Sequence, residues 1–267
     1  MTVQTQTKGA AHAVLKASAA TWFAVAAVGQ WIFMSYVIAV YGGAAVQGDM
    51  ASWNKHLSGA YVPGETMGNI AAATHLGLAI IILGGGPLQL IPQVRNRFPT
   101  FHRWVGRTYM IAVVTTAIAG LFMMFPRDIG GASTKAGFVI QTLMIMAFSG
   151  IALRYAVKRE IDTHMRWATR LFLAASSVWS FRVILMIWVA TAGEVGVDFS
   201  TGKGWFIDFM SIAGQYLPLL VYEFYWRIRD RGGAVSRSLM AGFLGLAAIA
   251  TAGGVFLATI GMWFPQG

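Results

Sequence analysis

Seven stretches of this chain, about 19–41, 68–92, 105–125, 136–157, 168–192, 207–225 and 239–264, are apolar over the roughly 17 to 25 residues that a helix needs to cross a hydrocarbon core. Inside such a core no water is available for backbone N–H and C=O groups, so each stretch must be a helix that bonds them internally. Composition agrees: 57% of residues are hydrophobic and 11% are charged, against roughly a quarter charged in soluble domains. The fold expected is all-α, a polytopic transmembrane helical bundle of seven spans. The first span follows Lys8 and Lys16 but runs on to Tyr41, past any short signal-peptide core, and reads as a retained helix.

Charge then sets the orientation. With spans alternating in direction, one side collects fifteen Lys and Arg, in the N-terminal segment and in 95–107, 154–170 and 227–237; the other holds Lys55, Arg127, Lys135 and Lys203. The positive-inside rule puts the N-terminus in the cytoplasm and the C-terminus outside. The net charge of +10 therefore reports topology rather than a nucleic-acid partner. No connection is long enough to hold a soluble module, so residues 1–267 are expected to form one membrane domain. The absence of cysteine excludes disulfides, iron–sulfur clusters and Cys-bound zinc. No His-Glu-x-x-His, Gly-x-Ser-x-Gly or Asp-x-x-x-Asp pattern occurs, so no standard catalytic motif points to an enzyme class.

The basic side carries a repeated element. His102-Arg103-Trp104-Val105-Gly106-Arg107 precedes the third span and His164-Met165-Arg166-Trp167-Ala168-Thr169-Arg170 the fifth, so Arg-Trp-x-x-Arg occurs twice, each time where a hairpin turns into its second helix. This spacing suggests two hairpin repeats, 68–125 and 136–192, related by an axis along the membrane normal. In each copy the two Arg share a helix face near an N-terminus whose free N–H groups attract anions, while Trp suits the headgroup level. Arg103, Arg107, Arg166 and Arg170 are thus candidates for holding a phosphate, a carboxylate or a haem propionate, and also fit simple anchors to lipid headgroups. His102 and His164 accompany the two ladders, and neutral imidazole near a positive helix end is the form that binds haem iron.

A second polar layer is expected in the outer half. His75 lies about 10 Å below the outer surface and Arg182 ~18 Å up from the inner one at 1.5 Å per residue, so the two can meet. A mid-span Arg is costly and needs a bundle-facing position with partners. Gln30, Gln141 and Gln215 occupy neighbouring layers, Asp208 starts the sixth span slightly above, and Glu223 is expected to pair with Arg227 one turn on. Gly84-Gly85-Gly86-Pro87 interrupts the second span, where proline predicts a kink or a broken turn. In the last span, 239–264, Ala241, Gly245, Ala250, Gly254 and Ala258 suggest close helix packing, within the chain or against a second copy or another subunit of a membrane complex.

His75-x-Gly77, His102-Arg103-x-x-Gly106-Arg107-x-Tyr109 and His164-x-x-Trp167-x-x-Arg170 with Arg182 resemble the pattern of a bacterial membrane-protein family, the domain of unknown function 2306, over roughly 68–190. That resemblance implies a shared fold and a place in the bacterial cytoplasmic (inner) membrane, and makes these His and Arg candidates without assigning them roles. The arrangement also looks distantly like transmembrane b-type cytochromes, although two haems would need four helix-borne His and the spans offer His75, His102 and His164. The leading functional reading is a bundle that binds a small anionic or amphiphilic ligand, a lipid headgroup or a quinone-like molecule, through Arg103, Arg107, Arg166 and Arg170 at one level and His75 and Arg182 at another. Its rivals are a haem b electron carrier with axial ligands His102 and His164, and a proton-coupled transporter using His75 and Arg182.

Overall fold

The computed structural model describes residues 3–127, 131–199 and 201–264, which are helical apart from their connections. Helix α1 (Val3–Val37) continues through a π turn (Ile38–Gly42) into the short α2 (Gly43–Val46), and the following connection contains a 3₁₀ turn (Met50–Lys55). Then come α3 (Thr66–Leu90), the short α4 (Pro92–Arg97), α5 (Pro99–Met124), α6 (Ala132–Val157), α7 (Ile161–Ala175), α8 (Ser177–Ala192), α9 (Trp205–Arg231) and α10 (Ala234–Ala258), which ends in a second π turn (Thr259–Trp263). Pro92 and Pro99 open α4 and α5 at the one helical position where a missing N–H costs nothing. Gly193, with φ 68°, ends α8 in a conformation that favours glycine.

Five of these helical segments, Gly9–Val46, Thr66–Leu90, Pro99–Met124, Ala132–Val157 and Ala234–Trp263, are long and apolar enough to cross a membrane, and α7 with α8 makes a sixth if the pair, bent by 53°, is one span. Helix α9 is long enough but less apolar, because Asp208, Gln215 and Glu223 fall within it. It nonetheless packs against α6, α7 and α8. The fold is therefore an all-helical membrane bundle with five to six segments of clear spanning character.

The structure moves the broken span. α3 runs unbroken through Pro87, and its glycines serve close approach instead. A Cβ at Gly86 would stand 3.0 Å from the Tyr109 ring and 3.3 Å from Phe172, and one at Gly84 would stand 3.0 Å from the Met34 sulfur. The break falls between α7 and α8, at Ser176, where neither Pro nor Gly announces it. Amides from two other helices satisfy the polar groups that the bend releases. Gln141 of α6 donates to the Ala174 carbonyl at 3.0 Å, and Gln30 of α1 donates to the Ser176 hydroxyl at 3.0 Å, which itself donates to the Phe172 carbonyl at 2.7 Å.

Small residues let α10 lie close to α1 and α8. A Cβ at Gly29 would meet Val255 and Trp179, and one at Gly254 would meet Val183 and Ile187. Ala241 and Ala258 are buried as well, so much of the small-residue face of 239–264 is used inside the chain, while Gly245 borders open space. At the opposite end from the Arg-Trp junctions, the connection between α2 and α3 folds back over the bundle. Trp53, Leu57 and Ala60 join the core with Tyr41, Ala72 and Met123. Arg127 staples it: the guanidinium, 3% exposed, bonds to Glu65 (2.9 Å), the carbonyls of Gly59 (2.7 Å) and Ala60 (2.9 Å), and Asn69 (2.6 Å).

Candidate functional site

Beneath that folded connection lies Arg182. Its Nη1 donates to the carbonyl of Val178, one turn back in α8, at 3.3 Å, and its guanidinium lies 5.2 Å from the centre of the Phe33 ring. A guanidinium has five N–H donors, and no carboxylate pairs with this one among the described residues. The rings around it are aromatic. Tyr36 and Tyr41, on either side of the start of the first π turn, meet edge to face at 5.9 Å, close enough for their hydroxyls to share a hydrogen bond, and both act electrostatically on Arg182. His56, from the connection, lies edge-on to Tyr36 (5.9 Å) and Tyr41 (6.2 Å). Trp263, in the second π turn, packs on Phe33 at 5.0 Å. Single π turns inside helices occur often at functional sites, and here two of them flank one cation.

A cavity of about 430 Å³ lies on the far side of Tyr36 and Met186 from this group, lined by Tyr36, Lys55, His56, Met186, Glu194 and Gly261 among others but not by Arg182 itself. Met186 is one helical turn beyond Arg182, and Tyr36 belongs both to the cavity wall and to the Arg182 surroundings. His75 completes the layer: its Nδ1 is 3.0 Å from the Thr116 carbonyl, and it lies within electrostatic reach of Arg182. A carbonyl can only accept, so Nδ1 carries the proton in the neutral ring and Nε2 is left as an acceptor. Gly120 makes room, since a Cβ there would stand 3.2 Å from that Nδ1. Gln30, Gln141 and Gln215 tie helices together and none of them bonds to Arg182, nor does Asp208.

The Arg-Trp junctions lie together at the other end, but their Arg do not form two facing ladders. Arg170 pairs with Glu223 of α9 at 2.7 Å, so Glu223 takes its partner across the helix interface and not from Arg227. Arg166 pairs with Asp230 at 2.8 Å and stacks 4.0 Å from the centre of Trp226, whose ring also carries Arg229 at 4.2 Å. Among the described residues Arg103 reaches only Thr100 of its own helix, and Arg107 lies over the exposed Trp104 at 5.2 Å. Within each motif the same local contact forms, Arg107 on Trp104 and Arg170 on Trp167.

His102 and His164 come close enough to act on each other electrostatically. His164 Nδ1 is 2.9 Å from the Ala152 carbonyl, which orients the ring as in many ligating imidazoles, whereas His102 Nδ1 is buried without a partner. Arg95, which acts electrostatically on His102, touches the sulfur of Met165 beside His164, so side chains join α4 and α5 to α7 where a porphyrin would need a slot. The residues present do not fit a haem between these two His. No group of three His, Asp or Glu side chains among the described residues is placed to hold a metal ion.

The family model described as a predicted membrane protein, DUF2306, matches residues 72–208, just over half of the chain. The chain belongs to this family. No curated protein and no solved structure matches it. The DUF2306 region contains His75, His102, His164 and Arg182, but much of what surrounds them comes from outside it: Phe33, Tyr36 and Tyr41 from α1 and its π turn, His56 from the connection, and Trp263 from the end of α10. Sequence reasoning missed these. Tyr and Trp near span ends look like ordinary interfacial anchors, and His56 lies between spans; only the fold-back of the connection brings it to Tyr36.

Proposed function

We propose that this DUF2306 protein binds, at Arg182, the acceptor-bearing head of a small amphiphile, a carboxylate, a phosphate or a quinone carbonyl, which enters through the cavity beside Tyr36 and His56. The observation that carries the reading is a mid-span guanidinium with no carboxylate partner among the described residues, separated by Tyr36 and Met186 from an open cavity that both of them line. Such a cation is expensive in a bilayer and is retained where it faces a ligand or water. Tyr36, Tyr41 and His75 would supply further hydrogen bonds, and Phe33 and Met186 an apolar wall for the tail. Arg166 and Arg170 then hold α7 to α9, while Arg103 and Arg107, exposed beside Trp104, suit lipid headgroups.

Trp179 and Trp263 near the site make its occupancy readable as quenching of tryptophan fluorescence. Titration of the detergent-solubilised protein with a short-tailed benzoquinone, and separately with dodecanoate, is expected to give saturable quenching with at least one of them. Arg182→Met should weaken that binding roughly 10- to 100-fold, the worth of the charge-assisted hydrogen bonds removed. Equal affinity in the wild type and Arg182→Met, or no saturable quenching by either probe, would remove the proposal.

The same reading takes α9 as a seventh span, with the N-terminus cytoplasmic. Its support is the packing of α9 against α6, α7 and α8 and the concentration of Arg and Lys at one end. Because the chain has no cysteine, single replacements report sidedness cleanly. In intact cells a membrane-impermeant maleimide is expected to label Ser58→Cys and Thr201→Cys but not Asn96→Cys or Gly233→Cys. Labelling of positions 201 and 233 from the same side would mean that α9 does not cross.

A further inference from the structure

The seam between α3 and α5 contains a row of polar atoms that the fold leaves without protein partners. His102, Tyr109 and Thr116 follow one another at seven-residue spacing, two helical turns, and so share one face of α5. His102 Nδ1 and the hydroxyls of Tyr109 and Thr116 are buried with no hydrogen-bond partner, as is Nε2 of Gln89 on the facing helix. α3 answers in the same register, with His75, Ile82 and Gln89 also seven apart. Close contacts define the pairing: Gln89 lies against Gly106, Tyr109 against Gly86 and His75 against Gly120. The row therefore runs from His102 at the end bearing the Arg-Trp junctions to His75, on the order of 20–25 Å along the helix at 1.5 Å per residue.

Buried hydroxyls and amides are rarely left unpaired, and a polar site that lacks protein partners is where ordered water is held. Four such atoms on a single seam are a pattern: three of them recur every seven residues on α5, and Gln89 faces that row from α3, whose own row is polar at His75 and Gln89 and apolar at Ile82 between them. We propose that the α3–α5 seam holds a file of ordered water that carries protons between His102 and His75. In each step a proton passes from one water, hydroxyl or imidazole to the next, and the donor is refilled from the side that supplied it, so nothing but the proton moves. Ile82 and Val113, packed around Tyr109, form an apolar neck midway, which limits the rate as dewetting constrictions do.

The far end of the file has its own control. Among the described residues Arg182, from α8, is the charged group that acts on His75; the phenols Tyr36 and Tyr41, from α1 and its π turn, act on Arg182 in turn, and the charges of α7 lie at the opposite end. A fixed cation beside His75 opposes the arrival of a second positive charge. The inference does not depend on which ligand Arg182 takes.

Proton entry into liposomes containing a pH-sensitive dye, driven by a potassium gradient with valinomycin, tests it. Vesicles with Arg182→Gln are expected to acidify at least tenfold faster than protein-free vesicles. Adding Tyr109→Phe or Thr116→Val to that variant should remove at least nine-tenths of the gain. A rate equal to that of protein-free vesicles, or a gain that survives both replacements, overturns the proposal. Should Arg182→Gln not fold, hydroxyl-radical labelling by X-ray radiolysis, which marks side chains beside bound water, decides the matter on the wild type. Tyr109 and Phe206 are each 5% exposed; Tyr109 is expected to be modified at least tenfold faster, and equal rates would mean a dry seam and end the proposal.

Discussion

Gly137→Val is expected to be among the most damaging single substitutions in this protein, lowering stability by roughly 2–4 kcal/mol. Gly137 is the point where α6 touches α9. A Cβ there would run into the Ser211 carbonyl, which is backbone and cannot swing aside. The same glycine offers its carbonyl to Gln215 at 2.7 Å, a bond that ties α9 to α6 in the interior. Forcing the helices apart strains the contact and breaks the interhelical bond of a buried amide, leaving its nitrogen only the Ser211 carbonyl of its own helix while its oxygen already lacks a partner. Gly150, on the same helix, has nothing within 4 Å of its own would-be Cβ, so Gly150→Val is the matched control and should be nearly neutral. Thermal midpoints of the two variants, read by fluorescence-detected size exclusion, separate the effects. Melting of Gly137→Val together with Gly150→Val would mean that α9 does not pack on α6.

Arg127→Met should be comparably severe and more local, costing about 2–4 kcal/mol. This one side chain occupies two carbonyls, a carboxylate and an amide, and it lies so close to Gly68 that a Cβ there would stand 2.6 Å from its Nη2. Its removal leaves the Gly59 and Ala60 carbonyls unpaired under the connection that also supplies Trp53 and His56. The expected result is a lower thermal midpoint together with rapid protease cleavage between residues 47 and 65. Arg127→Lys should rescue little, since an ammonium cannot reproduce the fork of a guanidinium. Glu65→Gln should cost less than about 1 kcal/mol, because that carboxylate is 46% exposed and its ion pair is screened. Equal losses in Arg127→Met and Glu65→Gln would show that the ion pair, rather than the carbonyl staple, holds the connection.

The second result bears on the Arg182 candidate site, which the connection and the bend at Ser176 frame. The connection stapled by Arg127 delivers His56 to the cavity wall, and the bend at Ser176 sets the direction in which α8 presents Arg182. Gln30 and Gln141, which are legible in the sequence only as polar residues in apolar spans, turn out to be the clamps on that bend. Glu223 is a similar case. Spacing along α9 favours Arg227, but the carboxylate meets Arg170, because at this end α7 and α9 interleave their cations with Trp167, Tyr222 and Trp226. Pairing within a helix competes with pairing between helices, and only the packing angle decides between them.

Membrane residence, the all-helical class and the family were written in the chain itself, since they depend on the length of apolar runs, on charge at their ends and on a few motif positions around His75, His102, His164 and Arg182. Those are local quantities. The partners of Arg182, the place of the break and the fate of the Arg-Trp ladders are not, because they require α1, the α2–α3 connection, α8 and α10 to meet in space. In a bilayer, hydropathy says which residues avoid water but is nearly indifferent to which helix lies beside which. Close packing at Gly29, Gly86, Gly137 and Gly254, with a handful of buried hydrogen bonds, makes that choice, and with it the geometry of the site.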